Sequence, residues 1–169
     1  MSYVEIYKIN KEKELVHYKD VHNSWLGFMH VWDELERKYL PKFDEQNVLM
    51  TRFVAGMIGE KNKDGNHPMQ DIWDLWMSDK LTENEKIVLV TTLDNVYIKF
   101  EDLHKVANAY RDFKESTPTL IGIADALDEI YDNCKNDELL GAIIWGTSVS
   151  SIEESYDVEK LDPTTVFFE

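Results

Sequence analysis

Thr82-Glu83-Asn84-Glu85-Lys86-Ile87-Val88-Leu89-Val90-Thr91-Thr92-Leu93 lies at the middle of a 169-residue chain. Its reading decides whether the centre of the fold is helix or sheet. The first four residues have the form of a capping box: the Thr82 hydroxyl can accept from the amide three residues on, while the Glu85 carboxylate reaches back to the Thr82 amide. The second half, Ile87 to Thr92, is rich in the β-branched residues that favour strands. The box is a specific reciprocal arrangement, whereas strand propensity yields readily to context. The spacing therefore predicts a helix over Glu83–Asp94.

Toward the C-terminus, Val96 to Phe100 reads as a short extended segment. Leu103, Val106, Ala107, Tyr110 and Phe113 then repeat on one face of a helix over Glu101–Phe113. Ser116-Thr117-Pro118-Thr119 is a turn, with Thr119 expected to cap the next helix. That helix carries Leu120, Ile123, Ala124, Leu127, Ile130, Tyr131 and Cys134 on its apolar side. Leu139 to Trp145 is a continuous apolar run ended by Gly146 and reads as a buried strand. Thr165 to Phe168 reads as a last strand, and Val149 to Tyr156 fits neither pattern.

Toward the N-terminus, Met69, Ile72, Trp73, Trp76 and Met77 fall at offsets 0, 3, 4, 7 and 8, a helical stripe opened by Pro68. Glu60 to Asn66 has no apolar residue and is an exposed loop. Phe43 to Gly59 reads as another helix. Trp25, Phe28, Met29, Trp32, Leu35 and Tyr39 form a further helical stripe, capped by Asn23 or Ser24 and stopped by Pro41. Tyr3–Ile9 and Leu15–Val21, joined by the polar turn Asn10–Glu14, read as a β-hairpin. The expected fold is α+β: a small, largely antiparallel sheet from the N- and C-terminal segments, with four to five helices packed against one face. The length fits one domain spanning residues 1–169.

Charge is uneven along the chain. The net charge is −15, from 18 basic and 33 acidic residues. Residues 1–66 carry 10 basic and 11 acidic side chains, whereas residues 67–169 carry 8 and 22. Such a surface repels phosphate, so direct nucleic-acid binding is not expected. No apolar run approaches the roughly 20 residues that span a bilayer. The first residues lack a basic segment followed by an apolar one, and the lone Cys134 cannot form an internal disulfide. A cytoplasmic setting is the expectation, with Cys134 as an inert buried thiol.

Asp125, Asp128, Glu129 and Asp132 stand at spacings 0, 3, 4 and 7. At about 100° per residue they form one acidic stripe opposite the apolar one. A solvated helix face is one reading; a surface for a basic protein partner and a carboxylate metal site are two others. His67, Asp71 and Asp74, at spacings 0, 4 and 7, are the second candidate cluster, of the facial-triad type that binds transition metals. Ordinary helix-start chemistry competes with that reading, because acidic residues are favoured in a first turn. His-Glu-x-x-His, Gly-x-Ser-x-Gly and Gly-rich phosphate loops are absent. No cofactor is expected, and no residue is read as catalytic. Trp25, Trp32, Trp73 and Trp76 read as core, with one or two available for a pocket or a contact between copies. The leading expectation is a non-catalytic interaction or inhibitor-type protein that binds a basic partner through an acidic C-terminal surface. The alternatives are a small carboxylate-based metal-dependent enzyme or metal-binding domain, and a homo-oligomer assembled through aromatic surface.

Overall fold

The structure is a computed structural model that describes residues 2–23, 27–40, 56, 58–62, 64–93, 97–113 and 116–146. Strands β1 (Ser2–Asn10) and β2 (Leu15–Asn23) form the expected hairpin. Its polar turn is tied by Asn10, whose side chain accepts from the Glu14 amide at 2.8 Å and donates to the Glu14 carboxylate at 2.7 Å. The register pairs Val4 with Val21 and Ile9 with Leu15, and shifts between Ile6 and Tyr7. Asn23 ends β2 and so belongs to the sheet, while Ser24 lies outside the described residues.

β1 also pairs antiparallel with β4 (Leu139–Trp145), and β4 pairs antiparallel with β3 (Tyr97–Lys99). The strand order is β2-β1-β4-β3, so segments from near both ends of the sequence lie side by side. Gly141 is required where β3 meets β4. A Cβ there would run into the Ile98 carbonyl oxygen and lie 2.8 Å from the Tyr97 ring.

Five helices are described: α1 (Gly27–Tyr39), α2 (Gln70–Trp76), α3 (Glu83–Leu93), α4 (Leu103–Asp112) and α5 (Pro118–Asn133). A short 3-10 turn, Phe100–Asp102, leads into α4. The capping box that predicted α3 is formed in both directions. The Glu85 amide donates to the Thr82 hydroxyl at 3.3 Å, and the Thr82 amide donates to the Glu85 carboxylate at 2.9 Å.

The β-branched half of α3 remains helical because it is buried all round, from Ile87 through Thr92. Its two hydroxyls serve two purposes. Thr91 Oγ1 donates to the Ile87 carbonyl at 2.7 Å and accepts from the Tyr110 hydroxyl on α4 at 2.8 Å. Thr92 Oγ1 donates to the Val88 carbonyl at 2.9 Å and accepts from Trp32 Nε1 on α1 at 3.0 Å. Helix α3 is thereby fastened to both neighbours through buried hydrogen bonds.

The antiparallel sheet with helices is the α+β arrangement that the sequence indicates. Burial on the sheet differs from expectation, since both faces carry it. Val4, Ile6, Val21, Ile98, Ala142 and Ile144 join the helices in the main core. Tyr7, Ile9, Tyr97, Ile143 and Trp145 form a second buried cluster. Because successive side chains on a strand point to opposite faces, these two sets lie on opposite sides of the sheet. The unbroken apolar run of β4 is the sequence signature of this double burial.

Four local expectations are corrected. Thr117, not Thr119, caps α5: its hydroxyl accepts from the Leu120 amide at 3.3 Å, with Pro118 in the first turn. Thr119 is buried and donates to the His22 carbonyl at 3.0 Å, tying α5 to β2. In α2, Leu75 is buried while Met77 is 74% exposed, because the helix stops at Trp76 and its stripe cannot extend further. Tyr131, expected inside, is 39% exposed and stacks on Phe100 with ring centroids 5.4 Å apart. Cys134, expected as a buried thiol, is half-buried and is the cap residue just after α5. The expected helix over Phe43–Gly59 lies mostly outside the described residues. Trp25, the segment Val149–Tyr156 and the strand Thr165–Phe168 lie wholly outside them. No described helix is long and apolar enough to cross a membrane.

Candidate functional site

The acidic stripe on α5 exists because Leu120, Ile123, Ala124, Leu127 and Ile130 turn the opposite side of that helix into the core. Helix α4 lies along one flank of α5 and strand β2 along the other. Each flank supplies basic groups. Arg111 on α4 reaches across to two carboxylates, with Nη2 at 2.8 Å from Asp125 Oδ1 and Nη1 at 2.5 Å from Asp128 Oδ2. His104, two turns earlier on α4, places Nδ1 at 2.8 Å from the other oxygen of Asp128. The hydrogen bonds from Arg111 to Asp125 and Asp128 raise the guanidinium pKa above its already high ordinary value.

On the other flank, Lys19 of β2 holds Glu129 with Nζ at 3.0 and 3.1 Å from its two oxygens. The Tyr18 hydroxyl donates to the same carboxylate at 3.1 Å. Burial first, and then that hydrogen bond to Glu129, pushes the Tyr18 hydroxyl pKa above its ordinary value. Three of the four stripe carboxylates therefore brace α5 to its neighbours. Asp132 is exposed one turn further on, and among the described residues it makes no hydrogen bond or ion pair.

Beyond Asp132 the acidity continues. Asp137 and Glu138 are exposed in the turn that follows α5, and Glu101 is exposed in the 3-10 turn before α4, next to Phe100 of the Phe100–Tyr131 stack. Asp102 next to it is partly buried. That burial, followed by the charge of Glu101, raises its carboxyl pKa, against the opposing pull of Lys105 and Lys99. Among the described residues, Asp132, Asp137 and Glu138 are exposed acidic side chains at and just beyond the C-terminal end of α5, one turn or more from the middle of the predicted stripe.

The second predicted cluster does not assemble. Helix α2 begins at Gln70, so His67 precedes it and the 0, 4, 7 spacing does not place the three residues on one helical face. His67 Nδ1 accepts from the Met69 amide at 3.1 Å, and its ring lies against Gly56. Asp74 accepts from Gln70 Nε2 at 2.9 Å. Asp71 is half-buried in the first turn of α2, where the helix dipole favours a carboxylate. No group of three or more His, Cys, Asp or Glu side chains suited to a metal ion occurs among the described residues.

Of the predicted aromatic residues, Trp32 is buried in the core, while Trp73 and Trp76 are half-buried and meet edge to face at 6.3 Å. Sequence reasoning did not find Arg111, His104, Lys19 or Tyr18. Arg111 is the basic residue of the last turn of α4, which is a usable signal, but its reach to α5 depends on how the two helices pack. Comparison with protein families, with curated proteins and with solved structures found no match to this chain.

Proposed function

We propose that this protein is a non-catalytic binding protein that takes a basic protein partner on the acidic surface around the C-terminal end of α5. The observation that supports this reading most is the charge excess of 33 acidic over 18 basic residues, concentrated beyond residue 66. The contact is centred on Asp132, Asp137 and Glu138, since Asp125, Asp128 and Glu129 already have basic partners within the chain. A partner that engaged those three would have to displace Arg111 or Lys19. A partner at Asp132 would meet carboxylates whose charge is still open to solvent.

Attraction between exposed charges steers encounter and is screened beyond about 8 Å at physiological ionic strength. The test is affinity capture with the wild-type chain and with a D132K/E138K variant, at low and high salt. The expected result is a basic protein retained at low salt, released as salt rises, and retained poorly by the variant. Equal retention by wild type and variant, or retention indifferent to salt, overturns the proposal.

A further inference from the structure

Helices α1, α3 and α4 line a cleft of about 470 Å³. That volume falls within the roughly 300–1,000 Å³ of small-molecule sites. Leu35 and Phe113, both buried, supply its apolar surface. One of its charged groups is committed to the fold. Glu85 receives the Lys38 ammonium and the Tyr39 hydroxyl, each at 2.7 Å, in addition to its bonds with Thr82. This carboxylate has no further capacity for a ligand.

Two other charges lining the cleft are differently placed. Arg37 on α1 makes one short contact, from Nη2 to Asp33 at 2.7 Å. Among the described residues its Nη1 has only a distant one, 3.8 Å from Glu34. Asp112, at the end of α4, accepts a long hydrogen bond from Asn84 at 3.4 Å. A guanidinium with spare donors and an under-used carboxylate therefore border one cleft from different helices, with apolar surface beside them.

From this arrangement we infer that the cleft binds a small zwitterion of the apolar amino-acid class. The ligand carboxylate meets Arg37, its ammonium meets Asp112, and its side chain rests on Leu35 and Phe113. A purely anionic ligand would face Glu34 and Asp112, and a purely cationic one would face Arg37 and Lys38. A molecule carrying both charges satisfies both sides. Arg37 and Asp112 are both exposed, so replacing either leaves the buried core untouched.

The experiment is a backbone-amide NMR titration of the full chain with L-leucine and L-phenylalanine. L-leucinamide, which lacks the carboxylate, and N-acetyl-L-leucine, which lacks the ammonium, are titrated alongside. Saturable shifts confined to residues around Arg37, Asn84 and Asp112 are expected with the two zwitterions. Each blocked analogue is expected to bind about tenfold or more weakly, as are the R37Q and D112N variants with L-leucine, because each removes one charge-assisted hydrogen bond. Absence of shifts up to the solubility limit of both zwitterions overturns the inference. Equal binding of the blocked analogues, or unchanged binding by both variants, overturns it as well.

Discussion

The hydroxyls inside α3 and the carboxylates outside α5 perform the same task, tying one element to the next, in opposite dielectric surroundings. Thr91 and Thr92 are almost wholly buried, and each both accepts a hydrogen bond from a neighbouring helix and donates one to its own. Asp125 and Glu129 lie at the surface, where water stands ready to replace Arg111 or Lys19. A buried polar group that loses its partner pays its whole desolvation cost, about 1–3 kcal/mol. An exposed ion pair is worth about 0–1 kcal/mol, because water solvates both ions once it opens. The many charges on α5 therefore contribute less to stability than the few hydroxyls of α3.

The comparison can be tested most severely at Thr91. Thr91→Val leaves the fully buried Tyr110 hydroxyl without the acceptor it now uses, and should cost about 1–3 kcal/mol in urea unfolding. Tyr110→Phe removes the donor instead and orphans no donor on α3, where Thr91 still donates to the Ile87 carbonyl, so its cost should be smaller, about 0.5–1.5 kcal/mol. If the two variants were equally stable, the buried link would not carry the weight assigned to it.

Glu85 lies between the two extremes, with its side chain 13% exposed. Burial works to raise its carboxyl pKa, but the hydrogen bonds from Lys38, from the Thr82 amide and from Tyr39 outweigh it, and the net pKa is below the ordinary 4.5. A carboxyl whose folded pKa is depressed contributes stability that is complete above the unfolded value and fades as pH falls through the folded one. Glu85→Gln should thus destabilise the chain by about 1 kcal/mol at neutral pH, comparable to the loss of a helix cap. The gap from wild type should close below pH 4.5. A gap that persisted unchanged into acid would mean that the charge of Glu85 does not matter.

The smallest effect is expected on α5. Arg111→Met removes the fork to Asp125 and Asp128 but keeps most of the apolar stem, and should change stability by about 1 kcal/mol or less. High salt should shrink that difference, because both carboxylates are partly exposed and screened. A loss of several kcal/mol would place these ion pairs in the same class as the buried hydroxyls.

Particular residues show how far the sequence reached. The Thr82–Glu85 box was legible because all its partners lie within three residues, and it outweighed the strand signal of Ile87–Thr92. The apolar stripes of α4 and α5 were legible through their period, and β4 through its unbroken apolar run. Thr117 was missed as a cap because Thr117 and Thr119 flank Pro118 and both residue types can cap; the difference lies in Thr119 turning inward to the His22 carbonyl. The spacing of His67 to Asp71 and Asp74 has meaning only if all three are helical, and the helix starts later, at Gln70.

The acidic stripe divides most clearly between the two levels. Its residues and their common face follow from sequence alone, since helical period and burial of the opposite side need only local chemistry. Which carboxylates are occupied does not. Lys19 meets Glu129 across 110 positions of chain, and Arg111 meets Asp125 across 14. Those pairings depend on β2 and α4 being laid against α5 by the core. By itself the sequence determined that these helices form, which sides of them are mainly apolar and that the second part of the chain is acidic. Only the tertiary structure decided which charges are held and which, like Asp132, remain open, because it sets the distances between groups far apart in the chain.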